Sequence, residues 1–83
     1  MKLYHYKNDL CNACGSNIKA LRESKKLSQE QLAANLQLLG LNINQKAISR
    51  IETGERIIPD YELLYFAKVF NIKLSDLFSS AEI

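Results

Sequence analysis

The chain has 83 residues with no Trp, one Pro and three Gly, which leaves room for one small domain and favours helices over an all-β fold. Hydrophobic residues make up 47% and charged residues 24%, a balance that excludes a disordered chain, and no apolar run approaches the roughly 20 residues a membrane span needs. The net charge of +2 is uneven: residues 1–58 hold nine Lys and Arg against five acids, and residues 59–83 two against four, which directs a polyanionic partner to the first part of the chain.

The N-terminal stretch MKLYHYKND lacks the apolar segment of a signal peptide, so a cytoplasmic location is expected, with Cys11 and Cys14 as reduced thiols. Residues 1–14 carry no helical period and read as an N-terminal arm, with Leu3, Tyr4 and Tyr6 available for packing. Ser16 is a good N-cap for a first helix to about Lys25, with Ile18, Leu21 and Arg22 on one face. Ser28 opens a second helix, and Gln31 stands at the capping-box spacing from it. Leu32, Ala33, Leu36 and Leu39 form its inner stripe and Gly40 ends it.

Leu41, Asn42 and Ile43 make a turn, after which Asn44 caps a third helix from Gln45 to about Thr53. Ala47, Ile48 and Ile51 face inward there, and Gly54 terminates the helix. A loop covers Glu55 to Ile58. Pro59 and Asp60 then start a fourth helix with Leu63, Leu64, Ala67 and Phe70 inward, and Asn71 breaks it. A fifth, short helix runs from about Leu74 to Ser80 with Leu77 and Phe78 inside. The expected architecture is an all-α, compact five-helix bundle: an arm at 1–14, a domain at 15–80 and a tail at 81–83.

The third helix carries the chemistry. Opposite its apolar stripe stand Gln45, Lys46, Ser49 and Arg50, side chains suited to base edges, since Gln pairs with adenine, Arg or Lys with guanine, and Ser with either. No acid interrupts that outer row. The start of the second helix, Ser28-Gln29, offers backbone amides, a side-chain amide and the positive end of a helix dipole to a phosphate. Thr53, Arg56 and the Gly54 amide follow the third helix, where a second backbone contact would fall.

The segments IKALRESKKLSQEQLAANL, AISRIETGER and ELLYFAKVFNIKLSDLF, spanning roughly residues 17–78, resemble the phage-repressor and Cro-like helix-turn-helix proteins of the Xre family. The resemblance implies a lambda-repressor-like bundle that binds double-stranded DNA. It implies base contacts at Asn44, Gln45 and Lys46, and one turn later at Arg50 with Ser49 beside it. Phosphate contacts are implied at Gln29, Thr53 and Arg56, and a structural salt bridge between Arg22 and Glu52. The chain departs from the family pattern between Leu36 and Ile48, where about five extra residues imply a longer second helix and a wider loop. Leu38, Leu39 and Leu41 would anchor that insertion.

The function expected is a sequence-specific transcriptional regulator, a repressor acting by occupying its operator. It would bind as a homodimer on half-sites about one helical turn apart. Its dimer surface would be the fifth helix and tail (Leu74, Leu77, Phe78, Ile83) or the arm through Tyr4 and Tyr6. A protein-interaction module, such as an antitoxin or anti-repressor partner, is the alternative. Cys11-Asn-Ala-Cys14 has the spacing of half a zinc or redox site. With His5 it supplies three of the four ligands a structural zinc wants, so two plain thiols, no metal and no cofactor are expected. Nothing pairs a nucleophile with a base, so no enzyme is expected.

Overall fold

The computed structural model describes residues 6–79, in which four α-helices follow one another: α1 Gly15–Ser24, α2 Gln29–Leu38, α3 Gln45–Glu52 and α4 Asp60–Phe70. Short 3-10 turns at Lys7–Asp9 and Leu74–Phe78 flank them, and no strand occurs among the described residues. Leu3, Tyr4, His5, Ser80 and the tail with Ile83 lie outside the described residues.

Local chemistry sets most boundaries. Ser28 Oγ accepts the Gln31 N–H at 3.0 Å while Gln31 Oε1 accepts the Ser28 N–H at 2.8 Å, a reciprocal capping box on α2. Asn44 Oδ1 accepts the Ala47 N–H at 2.9 Å and caps α3. Each α-helix then ends on a left-handed residue: Lys26 (φ 58°), Gly40 (φ 103°), Gly54 (φ 81°) and Asn71 (φ 55°). In every case the next N–H reaches back past the last turn, as Leu41 N–H does to the Leu36 carbonyl at 3.0 Å and Glu55 N–H to the Arg50 carbonyl at 2.8 Å. Glycine takes this backbone without steric cost; Lys26 does not.

Helix α1 starts one residue before Ser16, because Asn12 Oδ1 accepts the Gly15 N–H at 2.7 Å and fixes the first turn. The expected fifth helix is instead the 3-10 turn Leu74–Phe78, five residues long, in which the Asp76 carboxylate accepts the Lys73 N–H. Four residues from that turn and α4 seal the base of the core: Phe66, Ala67, Phe70 and Leu77, with the two Phe ring centroids 6.5 Å apart. Ile18, Leu32, Leu36, Ile48 and Ile51 fill it from the other helices.

Three side chains expected inside are not. Leu64 is 60% exposed, Phe78 39% and Leu39 37%. The α4 stripe is rotated relative to expectation because Glu62 faces inward, with Phe66, Ala67 and Phe70 on its side of the helix. Helix α4 is apolar nearly all round, so its period could not separate the buried side from the outer one. After α2, Leu41 anchors the chain in the core, whereas Leu38, the last residue of α2, stands 86% exposed. Ile43, buried beside Leu41, is held by the Gln37 amide, which donates to its carbonyl at 2.7 Å. The connection is therefore pinned at two points before α3 begins. No helix among the described residues is long and apolar enough to cross a membrane.

Candidate nucleic-acid interface

Helix α3 is strongly two-sided. Ile48 and Ile51 are fully buried, Ala47 half-buried, and Gln45, Lys46 and Arg50 exposed, with Ser49 half-buried between them. Asn44 is exposed, and its side-chain oxygen is used by the cap, which leaves its NH2 group for a partner outside the helix. The outer row at 45, 46, 49 and 50 thus presents donors and acceptors on one side of a rigid, capped helix.

A hydrogen-bonded chain backs that row. Gln45 Nε2 donates to Gln29 Oε1 at 2.6 Å, and Gln29 Nε2 donates to Glu52 Oε1 at 2.9 Å. Arg22 holds the same carboxylate with both sides of its fork, Nε to Oε2 at 2.7 Å and Nη2 to Oε1 at 3.0 Å, while Nη1 donates to the Leu27 carbonyl at 2.7 Å. The Glu52 side chain is only 2% exposed, so the pair is buried. Hydrogen bonding to Glu52 raises the Arg22 pKa above its ordinary value, outweighing the opposite effect of burial. Arg22 thereby balances the buried charge of the acid at the end of α3. The network joins α1, the start of α2 and both ends of α3.

The same bonds orient the amides. Gln29 accepts from Gln45 through its oxygen and donates to Glu52 through its nitrogen, so the Glu52 carboxylate dictates which way the amide points. Gln45 uses one N–H on Gln29 and keeps its second N–H and its carbonyl oxygen, the donor–acceptor pair an adenine edge requires.

Beyond α3 the picture differs. Arg56 gives both terminal nitrogens to Glu62, at 2.8 and 3.0 Å, and Nη1 also reaches the Ile57 carbonyl at 3.1 Å. Glu62 is buried and Arg56 half-buried, and the hydrogen bonds to Glu62 raise the Arg56 pKa. The guanidinium read from the sequence as a phosphate contact is therefore paired with a carboxylate and ties the loop to α4. Thr53 Oγ1 lies 3.2 Å from both the Ser49 and Arg50 carbonyls and 3.0 Å from the Glu55 carboxylate. Its hydroxyl is used locally, beside an acid.

Asn12 is a positioning residue with no place in the sequence-based expectations. Its Nδ2 donates to the Ile51 carbonyl at 3.0 Å and to the Arg56 carbonyl at 2.8 Å, while Cys11 N–H donates to the Gly54 carbonyl at 2.7 Å. Residues 10–14, expected as arm, thus clamp the C-terminal end of α3. The fit is close: a Cβ on Gly15 would run into the Ile51 carbonyl, and one on Gly54 into the Leu10 side chain. An Asn three residues before a helix start was the available signal.

Cys14 is buried and Cys11 half-buried, both as free thiols. Burial pushes the Cys14 thiol up to about 11, which keeps it protonated and a poor nucleophile. No group of three metal-ligating side chains occurs among the described residues, and His5 lies outside them.

A family model described as helix-turn-helix matches residues 18–77. No curated protein and no solved structure matches the chain.

Proposed function

The chain belongs to the helix-turn-helix family of Cro-like, Xre-type DNA-binding transcription regulators, and from that premise we propose that it is a sequence-specific repressor that inserts α3 into the major groove. The observation that carries this reading is the outer row of α3: Gln45, Lys46, Ser49 and Arg50 stand together with no acid among them, and Gln29 fixes the Gln45 amide from behind. A helix with one buried stripe and one amide and basic stripe suits a groove about 12 Å wide. Arg50 and Lys46 supply donors for guanine, Gln45 a bidentate match for adenine, and Asn44 and Ser49 hydrogen bonds beside them.

Gln29 carries the main phosphate contact in this reading, since its second N–H is uncommitted at the N-terminus of α2. Thr53 and Arg56 contribute less, because the Arg56 charge is paired with the buried Glu62 and the Thr53 hydroxyl sits beside the Glu55 carboxylate. A module this small makes few contacts, so two copies act on one pseudo-palindromic site in the cytoplasm, and occupancy of that site blocks transcription.

Site selection from random duplexes, read by sequencing, tests the proposal. A pseudo-palindromic motif is expected. Arg50→Ala is expected to cost about 1–3 kcal/mol at one base position and relax preference there. An unchanged motif and affinity in Arg50→Ala removes α3 as the reading helix.

A further inference from the structure

Helix α4 turns to the outside a row with one leucine between an acid and a base, which nothing among the described residues covers. Asp60, Leu64 and Lys68 are spaced at i, i+4 and i+8 and are all exposed, with Tyr61 exposed beside them. A groove runs along each side of this row. One, of about 310 Å³, lies between Leu39, Leu64, Tyr65 and Lys68. The other, of about 350 Å³, lies between Leu64, Tyr61, Leu74 and Phe78 with Asp60 at its end. Leu64 is the ridge that separates them.

A ridge with a groove on either side is the shape two identical helices need to interdigitate. The charges then choose the direction. Asp60 stands one helical turn before Leu64 and Lys68 one turn after it, so a two-fold axis passing beside Leu64 with the helices antiparallel brings each Asp60 to the other copy's Lys68. A parallel crossing would set acid on acid and base on base.

We propose that α4 is a self-association surface, on which a second copy of this chain docks antiparallel through Leu64 with reciprocal Asp60–Lys68 pairs. Leu74 and Phe78 extend the same surface, whereas Leu77, fully buried, has no part in it. The inference rests on the proposed function, which needs two copies on one site, and deepens it by naming where they meet.

The test uses the 83-residue chain without DNA, in sedimentation equilibrium and native mass spectrometry. The wild-type protein is expected to dimerise, and Leu64→Glu to raise the dissociation constant about 100-fold or more. Asp60→Lys and Lys68→Glu each set like charges against one another in both pairs, so each is expected to weaken self-association about 10-fold. When the two variants are mixed, one copy carries bases at both positions and the other acids at both, and the heterodimer is expected to dominate over either homodimer. Unchanged helical circular dichroism shows that the variants fold, as these side chains are exposed. A wild-type protein monomeric to about 100 μM overturns the proposal. So does a Leu64→Glu dimer of unchanged affinity, or a mixture with no preference for the heterodimer. Because DNA is absent, a failure here is separate from a failed site selection.

Discussion

Removing the guanidinium from Arg22 tests the brace behind α3. In Arg22→Met the Glu52 carboxylate loses two hydrogen bonds, at 2.7 and 3.0 Å, and keeps only that from Gln29. Its side chain is 2% exposed, so water cannot replace what was lost without opening the junction of α1, α2 and α3. Breaking a buried pair from one side costs about 3–5 kcal/mol, against about 0–1 kcal/mol for an exposed one. A domain of this size has only about 4–12 kcal/mol of stability, so the loss is a large part of the total. Urea unfolding followed by circular dichroism at pH 7 measures it. Arg22→Met/Glu52→Gln removes the stranded charge while keeping an oxygen for Gln29, and is expected to recover about 2 kcal/mol of the loss. A loss below about 1 kcal/mol in Arg22→Met, or no recovery in the double variant, refutes the reasoning.

The same geometry has consequences at Cys14, Lys26 and Arg56. The Cys14 thiol has its pKa raised from 9.0 to about 11, so its stabilising effect is complete below pH 9 and is lost as pH rises through about 11. Urea titrations from pH 8 to 11 are expected to show a decline of about 2–3 kcal/mol more in the wild type than in Cys14→Ala. Lys26→Gly relieves the positive φ of 58° at the end of α1 and is expected to add about 0.5–1 kcal/mol, read as a higher urea midpoint; a lower midpoint contradicts the assigned backbone. Arg56→Ala strands the buried Glu62 carboxylate, so it is expected to destabilise the fold by about 1–3 kcal/mol. Its charge is already balanced, so the salt dependence of DNA binding should fall by well under the roughly one unit that a free phosphate contact would contribute.

The ends of α2, α3 and α4 were legible because their chemistry is local, whereas Ser16, expected as a cap, lies inside α1. Ser28 with Gln31, Asn44 before α3, and Gly40, Gly54 and Asn71 after their helices need only neighbours in sequence to act. The alternation on α3 was equally plain, since Ile48 and Ile51 stand against Gln45, Lys46 and Arg50 on so short a helix. Helix α4 was not legible in this way. Apart from Asp60, Glu62 and Lys68, every residue of it is aliphatic or aromatic, so Leu64 and Phe66 look interchangeable until Glu62 turns inward to meet Arg56.

By itself, then, the sequence determined that the described residues form helices without strands, where α2 and α3 begin and stop, and which side of α3 stays polar and exposed. These follow from propensity, capping and period, which act over a few residues. Only the tertiary structure decided how residues 10–14 clamp α3, that Arg56 belongs to Glu62, and that Gln45 is held by Gln29 against the Arg22–Glu52 pair. Those partners lie from 6 to 44 residues apart, and no local rule chooses among the polar side chains available. What selects them is burial: once the core closes, each polar group carried inward must find a partner or bear the cost of losing water.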